Sequence, residues 1–291
     1  MTVWTTADIP DQHGRTVVVT GGNSGLGEVT ARELAARGAV VVLASRNVAK
    51  AEQAAARMTG EVAVHPLDLA DLASVRAFAA ASGPIDVLVN NAGIMAVPKR
   101  RTADGFESQI GTNFVGPFAL TGLLLPRIQE RVVTVTSFAH YAGRIDLIDL
   151  NWRQRHYERW SAYAQSKLAD LIFSYELDRR LRSAGSPVRS IAAHPGYAAT
   201  GLQSHTESIQ DQFMAVMNRV FAQSAQAGAL PLLYAAAAPD AAGGALYGPD
   251  GLGGLRGHPV RVSSSQVSRD PALAGRLWAL AAELTGVEFP V

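Results

Sequence analysis

The chain of 291 residues contains no cysteine, which excludes disulfide bridges, thiolate metal sites and a cysteine nucleophile. Net charge is also nearly absent, because 26 basic residues face 25 acidic ones. A chain so balanced has no electrostatic attraction for nucleic acid or for an anionic membrane surface, so neither is an expected partner. The histidines are scattered without the paired spacing of metal ligands, and we predict no metal site.

Neither a secretory leader nor a membrane anchor is expected from this sequence. Residues 1–14 are polar and lack the basic start and apolar core of a signal peptide. The apolar run at 227–238 is too short to cross a bilayer. With 48% hydrophobic and 18% charged residues, the composition is that of a globular protein, and we expect a cytoplasmic one.

Short β-branched runs alternate with longer segments that are rich in alanine and leucine at helical period. The candidate strands are residues 17–19, 40–43, 62–64, 85–89, 132–135 and 188–192. The candidate helices are residues 29–35, 49–58, 72–80, 106–125 and 162–181. Because the strands are apolar throughout and separated by helices, we expect them to be buried and parallel. We predict an α/β fold, a Rossmann-type doubly wound sheet with helices on both faces, as one domain over residues 1–291.

The last third of the chain is less regular. A glycine-rich stretch surrounds one short candidate strand at 245–247. A closing helix is predicted over 270–284, with Asp270 as its N-cap and Pro271 as its first residue. The amphipathic segment 202–226 is a candidate lid over a substrate.

A glycine-rich turn follows the first candidate strand and opens the first helix. It reads Thr-Gly-Gly-Asn-Ser-Gly-Leu-Gly over residues 20–27. Glycines let the chain turn tightly and bring backbone N–H groups to a pyrophosphate, beside the positive end of the helix. An ordinary strand-to-helix turn is the alternative, but the first crossover of such a sheet is where dinucleotides bind. The predicted dinucleotide contacts are Gly21, Asn23, Ser24, Gly25, Leu26 and Gly27.

The residues after the second and third candidate strands bear on which dinucleotide binds. NAD-binding folds carry a carboxylate after the second strand, whereas this chain has Ser45 and Arg46. A hydroxyl and a guanidinium suit a 2′-phosphate, so NADP(H) is expected to be preferred over NAD(H); a solvated surface arginine is the alternative. Asp68, with Leu69 beside it, could accept a hydrogen bond from the adenine amino group or cap the next helix.

Tyr163 and Lys167 stand four residues apart on the long predicted helix, so both side chains share one face. A free phenol keeps its proton at neutral pH, and an adjacent ammonium stabilises the phenolate. Such a pair can give a proton to a ketone or take one from an alcohol. The spacing alone is common by chance. Ser137 and the sequence Asn-Asn-Ala-Gly at 90–93 support the interpretation, since both lie at the carboxyl ends of strands, where α/β sites form.

Together these motifs resemble the short-chain dehydrogenase/reductase family over nearly the whole chain. The matching residues are Thr20, Gly25, Gly27, Asn90, Asn91, Ala92, Gly93, Asn113, Ser137, Tyr163, Lys167, Pro195, Gly196 and Thr200. The resemblance implies that the serine holds the substrate oxygen, the tyrosine is the general acid/base, and the lysine binds the nicotinamide ribose and favours the phenolate. It implies that Asn113, on the predicted helix at 106–125, helps to hold a water-mediated proton relay. It places near the cofactor ribose and nicotinamide the residues Asn90, Ala92, Gly93, Pro195, Gly196 and Thr200.

Within the family, the retinol-dehydrogenase-like members are the most similar. Ser-Phe-Ala-His at 137–140, Asp-Leu-Asn at 149–151 and Ala-Tyr-Ala-Gln-Ser-Lys-Leu-Ala at 162–169 resemble their pattern. Membrane-bound members carry an N-terminal apolar anchor that this sequence does not show, which argues against a lipid-borne retinoid as substrate. The resemblance also suggests a homodimer or homotetramer, with a dimer contact through the helices that hold Asn113 and Tyr163.

The residues expected to face the substrate are mostly apolar: Met95, Ser137, Phe138, Tyr197, Leu202, Phe213, Met214 and Met217. With no charged cluster among them, they predict an apolar aldehyde, ketone or secondary alcohol as substrate. For the last three, plain helix packing is an equal alternative. The sequence thus predicts an NADP(H)-dependent oxidoreductase. Two other hypotheses are a nucleotide-sensing regulator, which would typically lose Tyr163 or Lys167, and a lyase or epimerase, which should have a longer C-terminal substrate domain.

Overall fold

The computed structural model describes residues 3–196 and 224–291, apart from the side chain of Leu252. Within these residues, eight strands form one sheet in the order β3-β2-β1-β4-β5-β6-β7-β8. The strands are β1 (Thr16–Thr20), β2 (Val40–Ser45), β3 (Val62–Pro66), β4 (Ile85–Asn90), β5 (Ile128–Val135), β6 (Arg189–Ala193), β7 (Leu246–Pro249) and β8 (Pro259–Arg261). Strands β1 to β7 pair in parallel, and β8 closes one edge antiparallel to β7.

The helices cover both faces of this sheet. They are α1 (Gly25–Ala35), α2 (Val48–Ala55), α3 (Leu72–Ala81), α4 (Ser108–Ile110), α5 (Gly116–Leu124), α6 (Arg159–Ser183), α7 (Ala225–Ala237) and α8 (Pro271–Thr285). In the described ranges, no helix is both long and apolar enough to span a bilayer. The predicted doubly wound α/β fold is confirmed, and the order of the sheet reverses between β1 and β4, which opens a crevice at their carboxyl ends.

The valine-rich strands are buried on both faces, because each face packs against its own layer of helices. In β1, Val17 and Val19 pack with α1 and α7, whereas Val18 packs with α3, α5 and α6. Successive side chains of a strand point to opposite faces, so a strand between two apolar layers needs an uninterrupted apolar run. The run of three valines is therefore what a central strand of this sheet requires.

Two features of the fold differ from the sequence-based expectation. The edge strand β8 was not predicted, since it is only three residues long and its ladder to β7 is a long-range contact. The predicted helix at 106–125 is interrupted by a π-helical turn, Gly111–Val115, between α4 and α5. Nearly every residue of this turn and of α5 is buried. The pattern of apolar residues therefore does not indicate where the helix changes from α to π geometry.

The closing helix α8 is capped as predicted and packs on α5 and α6. The Asp270 carboxylate accepts hydrogen bonds from the N–H groups of Ala272 (2.9 Å) and Leu273 (3.2 Å). The Trp278 ring lies 5.2 Å from the Phe118 ring and 5.8 Å from the Phe173 ring. The chain's own last helix therefore covers part of the α5 and α6 surface through which a dimer was expected.

Candidate active site

A cavity of about 630 Å³ opens at the carboxyl ends of the parallel strands. This volume lies within the range of roughly 300–1,000 Å³ that is typical of small-molecule sites. The residues that were predicted to form the site and that line this cavity are Gly21, Asn23, Ser24, Gly25, Leu26, Gly27, Ser45, Arg46, Asp68, Leu69, Ala92, Gly93, Met95, Ser137, Phe138, Tyr163, Lys167, Pro195 and Gly196. The fold thus brings motifs from most of the chain to one cavity.

Six predicted site residues and residues 202–223 of the candidate lid lie outside the described residues. The six are Tyr197, Thr200, Leu202, Phe213, Met214 and Met217. The last residues of that lid segment, from 224 onward, form the N-cap and first turn of α7.

The glycine turn between β1 and α1 packs too closely for side chains. Gly21 and Gly25 have positive φ angles of 66° and 57°, a region that L side chains rarely adopt. At Gly27, an added Cβ would lie 2.4 Å from the Asn91 side-chain nitrogen and 2.6 Å from the Gly21 carbonyl oxygen. The turn is therefore a closely packed backbone cradle that an added side chain would displace.

Asn91 fastens this turn to the end of β4. Its side-chain amide donates to the Thr20 carbonyl oxygen at 2.8 Å, and its backbone N–H donates to the Thr20 hydroxyl at 3.0 Å. The Ala92 N–H donates to the same hydroxyl at 3.0 Å. Asn91 lines the cavity, although it was not predicted as a contact residue. Its neighbour Asn90 is not part of the lining, and the Asn90 amide donates to the Thr121 hydroxyl at 2.9 Å, so the placement of Asn90 beside the cofactor ribose stays a prediction.

The N-terminus of α1 is open toward the cavity. Ser24 occupies the N-cap position, but its hydroxyl makes no cap hydrogen bond. The carboxylates of Asp71 and Glu158, by contrast, cap α3 and α6. The first N–H groups of a helix have no partner within the helix, so those of α1 are available to an anion at the glycine turn.

Two basic side chains line the cavity at the end of β2 and the start of α2. Ser45 ends β2 and is followed by Arg46, and Lys50 lies one turn into α2; all three line the cavity. Asn47 caps α2 by accepting a hydrogen bond from the Lys50 N–H at 3.0 Å, which fixes the start of this helix beside Arg46. Lys50 was missed in the sequence, where its position four residues after Arg46 was the available signal. Among the described lining residues, Asp68 is the only acidic one.

Asp68 does not cap helix α3, which removes one of its two predicted roles. Its carboxylate accepts a hydrogen bond from the Ala70 N–H at 2.9 Å within a local turn. The cap is Asp71, whose carboxylate accepts from the Ala73 N–H at 2.8 Å. Since Asp68 also lines the cavity, its contact with an adenine amino group stays a prediction.

Ser137 and Tyr163 present two hydroxyl groups to the cavity. The Ser137 oxygen accepts a hydrogen bond from the Ala139 N–H at 3.2 Å, which leaves its own hydrogen free to donate. Tyr163 is 7% exposed and lies on the first turns of α6, with its ring edge-to-face against Trp160. Trp160 also lines the cavity and was not predicted, although it lies one helical turn before Tyr163 on the same face. Within the described ranges, we find no hydrogen-bond partner for the Tyr163 hydroxyl.

The Lys167 ammonium is buried at the base of the cavity. It donates to the Val135 carbonyl oxygen at 3.0 Å and to the Asp170 carboxylate at 2.8 Å. Burial alone would lower the pKa of Lys167, but the charge of Asp170, with a smaller contribution from ionised Tyr163, raises the pKa above its ordinary value. Lys167 is therefore a cation at neutral pH, and its third hydrogen is available to a ligand in the cavity.

Asn113 lies behind the cavity lining, within the π-helical turn. Its side-chain oxygen accepts from the Ile94 N–H at 2.8 Å, and its amide donates to the Ile94 carbonyl oxygen at 2.9 Å. The same amide donates to the Ser166 hydroxyl at 2.8 Å, and Ser166 donates to the Tyr163 carbonyl oxygen at 2.8 Å. These bonds occupy the side chain, so Asn113 braces the Ile94 backbone and the start of α6, and its part in a water-mediated proton relay stays a prediction.

His140 supports Ser137 from behind and was not predicted as part of the site. Its Nδ1 lies 2.7 Å from the Ser137 carbonyl oxygen, and its Nε2 accepts from the Ser265 N–H at 3.4 Å. The second bond assigns the ring hydrogen to Nδ1, so this nitrogen donates to Ser137. Burial lowers the pKa of His140 and keeps the ring neutral. The histidine thereby ties Ser137 to the segment before α8.

Comparison with known proteins gives consistent matches along the chain. A family model described as short chain dehydrogenase matches residues 15–211. The chain is 40% identical over 294 residues to retinol dehydrogenase 13 of Homo sapiens, covering 95% of this chain and 86% of that protein. It is 40% identical over 297 residues to polyprenol dehydrogenase of Mus musculus, covering 96% and 86%. A crystal structure of an uncharacterized protein from Mycobacterium paratuberculosis is 54% identical, covers 100% of both chains and gives a TM-score of 0.88.

Proposed function

Because the chain belongs to the short-chain dehydrogenase family and is similar within it to the retinol dehydrogenases, we propose that it is an NADP(H)-dependent oxidoreductase. Its general acid/base is Tyr163. Its substrate is an apolar aldehyde or ketone, or the corresponding alcohol. One observation carries the proposal: a single cavity is lined by the glycine turn, by the basic residues after β2, and by Ser137, Tyr163 and Lys167.

The residues present fit a nicotinamide dinucleotide along the whole cavity. The open N-terminus of α1 and the cradle at Gly27 suit a pyrophosphate, and Arg46 with Lys50 suits a 2′-phosphate. Asp68 would accept from the adenine amino group, and the free hydrogen of Lys167 would reach a ribose hydroxyl. When bound, the nicotinamide supplies or accepts the hydride.

Substitution at Gly27 tests whether the cradle holds the dinucleotide. In Gly27→Ala, the new Cβ would overlap the Gly21 carbonyl oxygen at 2.6 Å, so the turn must shift. We expect a loss of about 1–3 kcal/mol in the free energy of unfolding, typical of overpacking, and NADPH binding weakened tenfold or more, as read by fluorescence titration (about 1.4 kcal/mol per factor of ten). The matched control is Gly275→Ala in α8, where an added Cβ meets nothing within 4 Å. The control should keep the wild-type affinity for NADPH. Equal NADPH affinity in both variants would contradict a role for the glycine turn in binding the dinucleotide.

The proton chemistry follows from the hydrogen bonds that the site residues leave unmade. Ser137 has a free O–H that can donate to a carbonyl oxygen, while its own oxygen is held by the Ala139 N–H. Tyr163, beside it in the same cavity, donates its proton to that oxygen in reduction and takes it back in alcohol oxidation. Lys167 stabilises the phenolate that is left, through its nearby positive charge.

Asn113 and His140 act on this chemistry through other residues. Asn113 fixes the Ile94 backbone and, through Ser166, the start of α6 that carries Tyr163. His140 fixes the Ser137 backbone. We place both as positioning residues rather than as groups that touch the reacting atoms.

The substrate end of the cavity is apolar. Ile94, Met95, Phe138 and Trp160 line it, and the described lining offers no charged group there apart from Lys167. The named relatives are dehydrogenases of retinol and polyprenol. Both observations support an apolar, extended substrate, and a flexible methionine can adapt to several shapes of chain.

A series of aliphatic aldehydes of increasing length tests this assignment. Each buried CH₂ contributes about 0.8 kcal/mol, so three additional CH₂ groups should raise kcat/KM by on the order of tenfold or more. Steady-state loss of NADPH absorbance measures the rate, and an aldehyde of equal length with a terminal carboxylate is the control. Equal kcat/KM for all members would contradict an apolar pocket.

The organisation of the whole protein is part of the proposal. The single sheet supports one functional domain over residues 1–291. The packing of α8 on α5 and α6 leaves less of the expected dimer surface exposed, so any homodimer would use the uncovered part of these helices.

A further inference from the structure

A buried ion pair joins the proposed catalytic lysine to an aspartate that was not predicted to belong to the site. The Lys167 ammonium lies 2.8 Å from the Asp170 carboxylate, and the two side chains are 6% and 2% exposed. Asp170 lies three residues after Lys167 on α6 and does not line the cavity. It therefore reaches the reaction only through Lys167.

An isolated ammonium in such a position would be costly, since burial strongly disfavours a charge without a partner. The groups whose charge acts on Lys167 are Asp170 and Tyr163, both on α6. From β5 and the residue after it, the neighbours are the neutral Val135 carbonyl, which accepts from the ammonium, and the Thr136 hydroxyl, which donates to the Lys167 carbonyl oxygen. Asn113 and the neutral His140, on two segments that pack against α6, bring no charge.

We propose that Asp170 is a positioning residue that fixes the Lys167 ammonium and keeps it charged in the buried base of the cavity. This inference rests on the proposed function, because it assigns a partner to the lysine of that same reaction. Two of the three ammonium hydrogens are engaged by Val135 and Asp170, so the direction of the third is determined by this pair.

The directions of the pKa shifts agree with this assignment. Burial lowers the pKa of Lys167, and the negative charge of Asp170 outweighs it. Burial raises the pKa of Asp170 to about 6, with the charge of Lys167 acting in the opposite direction. The pair is therefore ionic above that pH, which includes the neutral range.

Removing the negative charge has two consequences for carbonyl reduction, and both act in the same direction. Lys167 would lose its proton at lower pH, because nothing would compensate its burial. While Lys167 remained charged, its positive charge would act on the Tyr163 phenolate without opposition from a neighbouring carboxylate. Each change reduces, from the alkaline side, the fraction of enzyme that holds both the charged lysine and the proton needed for reduction.

The test is the pH profile of kcat/KM for NADPH-dependent aldehyde reduction by Asp170→Asn. The substitution is nearly isosteric and keeps an acceptor for the ammonium, so it removes charge while preserving position. We expect the alkaline limb to move to lower pH by about one unit or more, since an adjacent charge shifts a pKa by about 1–3 units. An unmoved limb, with or without a uniform loss of rate, would overturn the proposal.

Asp178→Asn is the matched control on the same helix. Asp178 is also buried and pairs with Arg182 at 2.8 Å, but Arg182, unlike Lys167, does not line the cavity. It should lose stability without a shift of the alkaline limb, and an equal shift in both variants would count against a specific role for Asp170.

A second variant and a second measurement guard against a failure to fold. Asp170→Ser removes both charge and position, and should move the limb in the same direction with a larger loss of kcat. In thermal unfolding, the double variant Lys167→Met/Asp170→Asn should be more stable than Lys167→Met, because the latter leaves a buried carboxylate unpaired; no difference would contradict the pairing. A wild-type protein without turnover would defeat the proposed function itself, whereas an active wild type with an unmoved limb in Asp170→Asn defeats this inference alone.

Discussion

Replacing Tyr163 by phenylalanine is expected to lower kcat for carbonyl reduction by roughly 10²–10⁴-fold, the usual contribution of a positioned general acid. The variant loses only the hydroxyl, which has no hydrogen-bond partner within residues 3–196 and 224–291. The ring and its contact with Trp160 are kept, so the fold should be little affected. NADPH binding should stay near the wild-type value, because the glycine turn and the basic end of the cavity are unchanged. Single-turnover rates and fluorescence titration measure the two quantities separately.

Tyr175→Phe is the control for this prediction. Tyr175 lies on the same helix, three turns further on, and its hydroxyl donates to Ser264 at 3.1 Å outside the cavity. Loss of this hydrogen bond should cost about 0.5–1.5 kcal/mol of stability and leave the chemical step close to the wild-type rate. If Tyr163→Phe retained full kcat, the proton would have another source and the assignment of Tyr163 would be wrong.

The second large effect concerns the choice of cofactor. The wild-type protein should strongly prefer NADPH to NADH, and Arg46→Asp should reduce that preference, measured as the ratio of kcat/KM values, by on the order of a hundredfold. A hydrogen bond to a charged group contributes about 1.5–3 kcal/mol, and the new carboxylate adds repulsion toward the 2′-phosphate. The same carboxylate can accept from the ribose hydroxyls of NADH, so kcat/KM with NADH should rise.

A charge reversal at a nearby position outside the cavity separates this effect from a change in net charge. Arg57 is exposed, pairs with Glu28 at 2.8 Å and does not line the cavity, so Arg57→Asp should leave the cofactor ratio unchanged. A wild-type preference for NADH, or an equal change in both variants, would refute the role of Arg46.

The fold could be predicted because local sequence and global position agree in the centre of the sheet. The apolar runs of β1, β2, β4 and β5 are buried on both faces, and a strand in that position accommodates few polar residues. The edge strand β8 has two exposed residues and a proline, so its position depends on pairing with β7 rather than on its own composition. Long-range pairing of this kind leaves no local signal.

The site was predictable where a residue's place depends on the end of a strand or on the spacing along a helix. Ser137 follows β5, and Tyr163 and Lys167 share one face of α6; all three line the cavity. The side-chain directions of Asn90 and Asn113 could not be predicted, because they depend on the twist at a strand end and on a π-helical turn. Asp170 was missed because its only link to the cavity is a contact with Lys167.

The most direct test of the account is the fate of a deuterium carried by NADPH at the transferable position of its nicotinamide ring. Wild-type protein, incubated with this NADPH and a long-chain aldehyde, should yield the alcohol with one deuterium on the former carbonyl carbon, in amounts equal to the NADP⁺ formed. Tyr163→Phe should bind the same NADPH and yield little labelled alcohol. Oxidation of NADPH without label in the alcohol, or no alcohol from any carbonyl with either nicotinamide, would contradict direct hydride transfer in this cavity.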